Sequence, residues 1–175
     1  GVFALARAWR AFHAVCPEWT LTFMGRDAVL GGRSVKDQII EMLGEAVGSV
    51  SFAGPVENGN LLRRLPDFDF AVLPSYSEAF AMAPMEAMGL GLPVIYSNRS
   101  SGPELIDHGR DGWLIDPDDT EAFTQALVEM ADNQSLRALL GEAAYEKIKL
   151  QYSMQEFISR NIEIYRDVLS RPAPR

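Results

Sequence analysis

Pro74-Ser75-Tyr76-Ser77-Glu78-Ala79-Phe80-Ala81-Met82-Ala83-Pro84-Met85-Glu86-Ala87-Met88-Gly89-Leu90-Gly91-Leu92-Pro93-Val94-Ile95 is the stretch that decides the fold of this chain. Immediately before it, Phe68-Asp69-Phe70-Ala71-Val72-Leu73 is an apolar run bounded by turn residues, which predicts a buried strand. Residues 81–88 are good helix formers with little turn chemistry. Gly89, Gly91 and Pro93 end that helix ahead of a second apolar run, Val94-Ile95-Tyr96-Ser97. Strand, helix and strand in succession predict parallel pairing, because parallel neighbours need a crossover connection.

The same alternation extends in both directions. Residues 1–15 carry Phe3, Leu5, Ala8, Trp9, Phe12 and Val15 at helical spacing. Pro17 and Glu18 break that pattern, and 19–24 reads as a short strand ending at Gly25. Helical spacing returns over 35–47, followed by a strand at 49–53 and a short helix at 60–65 closed by Pro66. Toward the C-terminus, 112–115 is a strand, Asp116-Pro117-Asp118-Asp119 places acids at the start of a helix over 120–131, and further helices cover 135–150 and 154–169. Residues 171–175 are expected to fray. The chain therefore reads as one α/β domain with a Rossmann-like parallel sheet flanked by helices. Such sheets bind ligands outside the carboxyl ends of their strands, which directs attention to Gly25 and to 53–56, 74–81 and 97–104.

Within the deciding stretch, a strand hands over to a helix start. The unpaired backbone amides around Ala81, Met82 and Ala83 can hold a diphosphate there without a basic side chain, and the helix dipole adds to the attraction. Glu78 stands in the loop and Glu86 about one turn into the helix, so the two carboxylates can grip neutral hydroxyls on either side of that diphosphate. Sugar hydroxyls suit that role. A glycosidase pair would draw its acids from separate elements flanking a cleft. Ser75 and Ser77 lack the Gly-x-Ser-x-Gly context of a nucleophile elbow.

Composition narrows the partners. A chain of 175 residues, 47% hydrophobic, suits one core, and its formal charge of -8 argues against a nucleic-acid binder. The single cysteine, Cys16, excludes an internal disulfide and is expected in the core with Trp9, Trp19 and Trp113. His13 and His108 have no evident acidic partner and are expected to be structural. No CxxC pair or histidine cluster offers a metal site, which fits a reducing compartment such as the cytoplasm. The longest apolar runs, 80–85 and 89–95, fall far short of the roughly 20 residues of a membrane span, so a soluble chain is expected.

The residues Glu78 and Glu86, with seven residues between them and a small-residue-rich stretch ending in Pro93-Val94, resemble the hallmark of the retaining GT-B glycosyltransferases of family 4. Pro17-Glu18-Trp19-Thr20-Leu21, Phe52-Ala53-Gly54-Pro55-Val56, Gly109-Arg110-Asp111-Gly112-Trp113-Leu114-Ile115 and Asp116-Pro117-Asp118-Asp119 look like later motifs of the same family. The resemblance implies a nucleoside-diphosphate sugar as donor substrate, no separate cofactor and no metal. It implies that Glu86 binds the ribose hydroxyls, that the backbone of Phe80, Ala81, Met82 and Ala83 holds the diphosphate, that Glu78 faces the transferred sugar in the catalytic position, and that Val56 meets the base. Ala79 and Ala81 stand where the family commonly has glycine, adding methyl groups near the diphosphate.

The resemblance also implies that the family's first strand, its phosphate-neutralising lysine and arginine, and its N-terminal acceptor domain would precede Gly1. The helix over 154–170, richer in apolar residues than one covering face requires, would cross back onto that domain. On this expectation the chain alone binds donor but does not turn over. Two alternatives stay open: a stand-alone nucleotide-binding or regulatory α/β module, and a sugar-nucleotide epimerase of the same two-domain architecture. The whole protein is expected in the cytoplasm or at the cytoplasmic face of the membrane.

Overall fold

In the computed structural model, residues 1–171 are described; the tail expected to fray lies, beyond Arg171, outside them. Along the chain run α1 (Val2–His13), β1 (Leu21–Met24), β2 (Val29–Leu30), β3 (Arg33–Ser34), α2 (Val35–Leu43), β4 (Val50–Gly54), α3 (Asn58–Arg64), β5 (Ala71–Leu73), α4 (Met82–Gly89), β6 (Val94–Ser97), α5 (Gly102–Leu105), β7 (Trp113–Ile115), α6 (Thr120–Asp132), α7 (Gln134–Gln151) and α8 (Met154–Ser170). Helices α2, α6, α7 and α8 start where side chains cap them. Ser34, Asp119, Asn133 and Ser153 each accept a bond from a backbone N–H in the first turn of the helix that follows. Helix α2 stops at Leu43, short of the expected 47, because Gly44 takes φ 57° and the chain continues as a 3-10 turn over Gly44–Ser49.

Period-two burial along the strands builds the layers. On β6, which is buried throughout, Val94 and Tyr96 pack with Ala87, Met88 and Ala144 of α4 and α7. Ile95 between them packs with Trp9 and Phe12 of α1 and Phe123 and Leu127 of α6. The sheet thus has one helical layer on each face, as a parallel sheet requires. Trp9 and Cys16 are buried, whereas Trp19 and Trp113 are half-buried at the edge of the same cluster.

The parallel strands fall into two groups, β4–β1 and β5–β6–β7, with a separate antiparallel hairpin formed by β2 and β3. The facing edges of β1 and β5 are not bonded to each other. Between them lies a cavity of about 720 Å³, lined by Leu21, Thr22 and Phe23 of β1, Ala71, Val72 and Leu73 of β5, and Leu5 and Trp9 of α1. Gly1 also lines it and packs on Pro74 at the carboxyl end of β5, so closely that a Cβ would stand 1.7 Å from the Pro74 oxygen.

Helix α8, despite its 17 residues, has no buried residue, a feature it shares only with the short α3 among the described helices. Phe157 is 61% exposed, Tyr165 65% and Leu169 85%, so ordinary packing within this chain does not account for its apolar side.

Candidate functional site

Strand β5 ends at Leu73, the Ser75 N–H returns to the Leu73 carbonyl at 2.9 Å, and the chain then runs without regular structure to Ala81. Helix α4 begins at Met82, within a residue of the sequence reading. Its N-cap, Ala81, carries no side chain that could accept a bond, and the first turn holds no acidic residue. Pro84 has no N–H to offer. The free donors at this helix start are therefore the amides of Ala81, Met82 and Ala83, at the carboxyl edge of the sheet, where anions are favoured by both hydrogen bonding and the helix dipole. Met82 and Ala83 are exposed there.

Glu86 lies one turn further and is half-buried. It lines the cavity mouth together with Pro74, Ser75 and Ala83, and its Oε1 accepts a bond from Asn58 Nδ2 at 2.9 Å. Asn58 opens α3, two residues beyond the half-buried Val56. The start of α3 and α4 thus meet over Glu86, which lines the cleft with Ala83, whereas Val56 is not among the residues that line it. Glu78 is exposed and has a different partner, the Ser75 hydroxyl, which donates to Oε1 at 3.3 Å. The ring of Phe80 is turned to Tyr152 at the end of α7, with centroids 6.0 Å apart.

The segment after β6 is built tightly. Ser97 and Ser101 are buried, and Gly102 approaches the Ser97 carbonyl so closely that a Cβ would lie 1.8 Å from that oxygen. Ser100 has φ 52°, the one non-glycine residue at positive φ among the described residues. Arg99 donates to Asp116 at 2.7 Å and Asp118 at 2.5 Å, and Tyr76 donates its phenol to Asp118 at 2.6 Å. The bond from Tyr76, followed by that from Arg99, holds the Asp118 carboxyl below its ordinary value, and the same bond to Asp118 pushes the Tyr76 phenol up. Of the two histidines, His108 Nδ1 accepts from the Leu114 N–H, whereas His13, half-buried at the end of α1, has a buried Nδ1 without a hydrogen-bond partner among the described residues.

The sequence model of the family described as glycosyl transferases group 1 matches residues 1–133. The chain belongs to that family. Among curated members, the N-acetyl-alpha-D-glucosaminyl L-malate synthase of Bacillus anthracis is 31% identical over 110 residues, which cover 63% of this chain and 29% of that protein. Among solved structures, the C-terminal domain of the group 1 glycosyl transferase LpcC from Francisella tularensis superposes with a TM-score of 0.77 at 20% identity, covering 88% of this chain and 80% of that one. Anabaena HepE, solved in complex with UDP-glucose, gives 0.74 at 24% identity, covering 94% of this chain and 44% of that one. The fold of this group 1 glycosyl transferase chain is therefore that of the GT-B enzymes, and the chain spans less than a third of the curated relative's length.

Asn58 and the Tyr76–Asp118–Arg99 cluster were not anticipated from the sequence. Asn58 stands only two residues past Val56, but nothing local indicates that its amide would reach a carboxylate 28 residues away.

Proposed function

We propose that this chain is the donor-binding part of a retaining glycosyltransferase that moves a sugar from a nucleoside diphosphate to an acceptor hydroxyl. The observation that carries the reading is the uncapped start of α4, with its free amides beside a glutamate held in place by Asn58. On this reading the Ala81, Met82 and Ala83 amides take the diphosphate, Glu86 binds the ribose hydroxyls, Val56 lies against the base, and Glu78 faces the sugar. As the bond from the anomeric carbon to the diphosphate oxygen breaks, negative charge grows on the leaving group. Oriented amides stabilise that charge without reorganising, as in an oxyanion hole. The UDP-glucose in the HepE complex supports a nucleotide sugar as the ligand class.

The open slot between β1 and β5 supports a further parallel strand ahead of Gly1, since a strand there would feed α1 and then β1 as a right-handed crossover unit. The bare apolar side of α8 supports docking onto an N-terminal domain of the same protein. Acceptor groups would come from that domain, so this chain alone binds donor without turnover. Among the described residues no helix is long and apolar enough to cross a membrane, and we place the whole protein in the cytoplasm or at its membrane face.

Calorimetric titration with UDP, GDP, ADP and their sugars tests the reading. One nucleoside diphosphate is expected to bind and to lose most of its affinity with Glu86→Ala. Binding that is indifferent to that substitution removes Glu86 from the ribose role.

A further inference from the structure

Three consecutive strands of one sheet, β5, β6 and β7, send their carboxyl-end loops to a single point. Asp118, three residues beyond β7, uses both carboxylate oxygens there: Oδ1 accepts the Tyr76 phenol and Oδ2 accepts Arg99. Arg99, two residues beyond β6, lies with its guanidinium 5.1 Å from the centre of the Tyr76 ring and is fixed from the other side by Asp116. Asp116 in turn accepts the Asp118 N–H at 3.0 Å, which stiffens the turn from β7 into α6. The arrangement is closed, because every charged group in it has its partner inside it.

Tyr76 is the member that matters for chemistry. It sits in the irregular loop between β5 and α4, next to Ser75, whose hydroxyl reaches Glu78. Beyond that Ser75–Glu78 bond, Ala79 and Ala81 add no polar side chain to brace this loop, and the helix it leads into is uncapped. The Tyr76 phenol is thus a long-range tie for the segment that carries Glu78, spanning 42 residues of sequence.

We propose that Tyr76 and Asp118 are positioning residues: the Tyr76–Asp118–Arg99 latch sets the loop so that Glu78 meets the sugar end of the donor. This rests on the donor-binding reading above for its last step, but the latch itself does not. The latch acts on the sugar end rather than on the nucleotide, because the diphosphate amides stand at the start of α4 and Glu86 is held by the separate Asn58 contact.

The test uses Tyr76→Phe, which keeps the ring over Arg99 and removes only the hydroxyl, with Asp118→Asn as the second variant. Backbone order parameters from NMR relaxation are measured first. Residues 77–80 are expected to lose order in Tyr76→Phe, with α4, β6 and α7 unchanged; wild-type order in that loop overturns the latch whatever any ligand does. Binding of UDP, GDP and ADP is then compared with that of UDP-glucose, GDP-glucose and ADP-glucose. For the base that binds, Tyr76→Phe is expected to leave the diphosphate's affinity within twofold and to weaken the sugar nucleotide three- to tenfold, with that loss absent in a Glu78→Gln background. An equal loss for diphosphate and sugar nucleotide overturns the positioning role. If none of the diphosphates binds the wild-type chain, the donor-binding reading fails and takes the Glu78 step with it, while the order parameters of the loop still decide the latch.

Discussion

The side-chain amide of Asn58 donates to Oε1 of Glu86 at 2.9 Å, tying the turn after β4 to the first turns of α4 across the mouth of the cleft. One amide thereby fixes the orientation of the carboxylate that the donor-binding reading assigns to the ribose. Hydrogen bonds to charged groups contribute about 1.5–3 kcal/mol, and preorganisation turns part of that into affinity. Asn58→Ala is expected to weaken nucleoside diphosphate binding about tenfold. In a double-mutant cycle with Glu86→Ala its effect should largely vanish, since the two residues act as a unit. Full additivity in calorimetry would show that Asn58 contributes on its own.

Gly141, inside α7, faces the backbone of Gly91, and a Cβ there would lie 2.2 Å from the Gly91 carbonyl oxygen. Helix propensity alone favours alanine over glycine by about 1 kcal/mol. The contact is with backbone and cannot rotate away, so overpacking of about 1–3 kcal/mol outweighs propensity. Gly141→Ala is therefore expected to lower the melting temperature by several degrees, and a rise would mean that α4 and α7 separate easily.

Lys147 on α7 donates to Asp107 at 3.1 Å and to Asp111 at 2.9 Å, and the side chains of Lys147 and Asp111 are 11% and 4% exposed. Burial opposes the charge on Lys147, but the bonds and charges of the two aspartates outweigh it and leave the ammonium raised. Asp107 is held below its ordinary value, first by its bond from Lys147. A depressed carboxyl stabilises the fold above its unfolded value of about 3.9 and loses that contribution as pH falls through the lower folded value. Lys147→Met leaves Asp111 buried without its partner and is expected to cost about 3 kcal/mol at pH 7. The gap between wild type and variant should narrow below about pH 4 in denaturant titrations. A constant gap from pH 7 to pH 3 would exclude the ion pair as its source.

On α8, Phe157 and Tyr165 are exposed and the helix buries nothing. Replacing both with serine removes no packing within the chain, so the melting temperature is expected to move by no more than a few degrees. Self-association, followed by sedimentation velocity, should fall, because the apolar side is what one copy would offer another. A large drop in stability would place this face against the core.

Periodicity was enough to determine the elements that bury a face. Helix α6 lies where apolar spacing puts it, since burial on one side leaves a repeat of 3.6 in the sequence, and strand β6, buried on both faces, reads as an unbroken apolar run. The start of α4 and the location of Glu86 one turn into it were legible from a run of helix formers closed by Gly89, Gly91 and Pro93. The β2–β3 hairpin was not, although Gly31-Gly32 turns it: two-residue strands that are largely exposed leave no alternation to read. What only the tertiary structure decided is which strand ends converge. The bond from Asn58 to Glu86, the meeting of Tyr76 and Arg99 on Asp118, and the unfilled space between β1 and β5 depend on strand order and on side-chain rotamers. Such contacts join residues tens of positions apart, and the polar residues that make them carry no periodic trace, because a hydrogen bond needs one partner in one direction whereas a core needs a whole face.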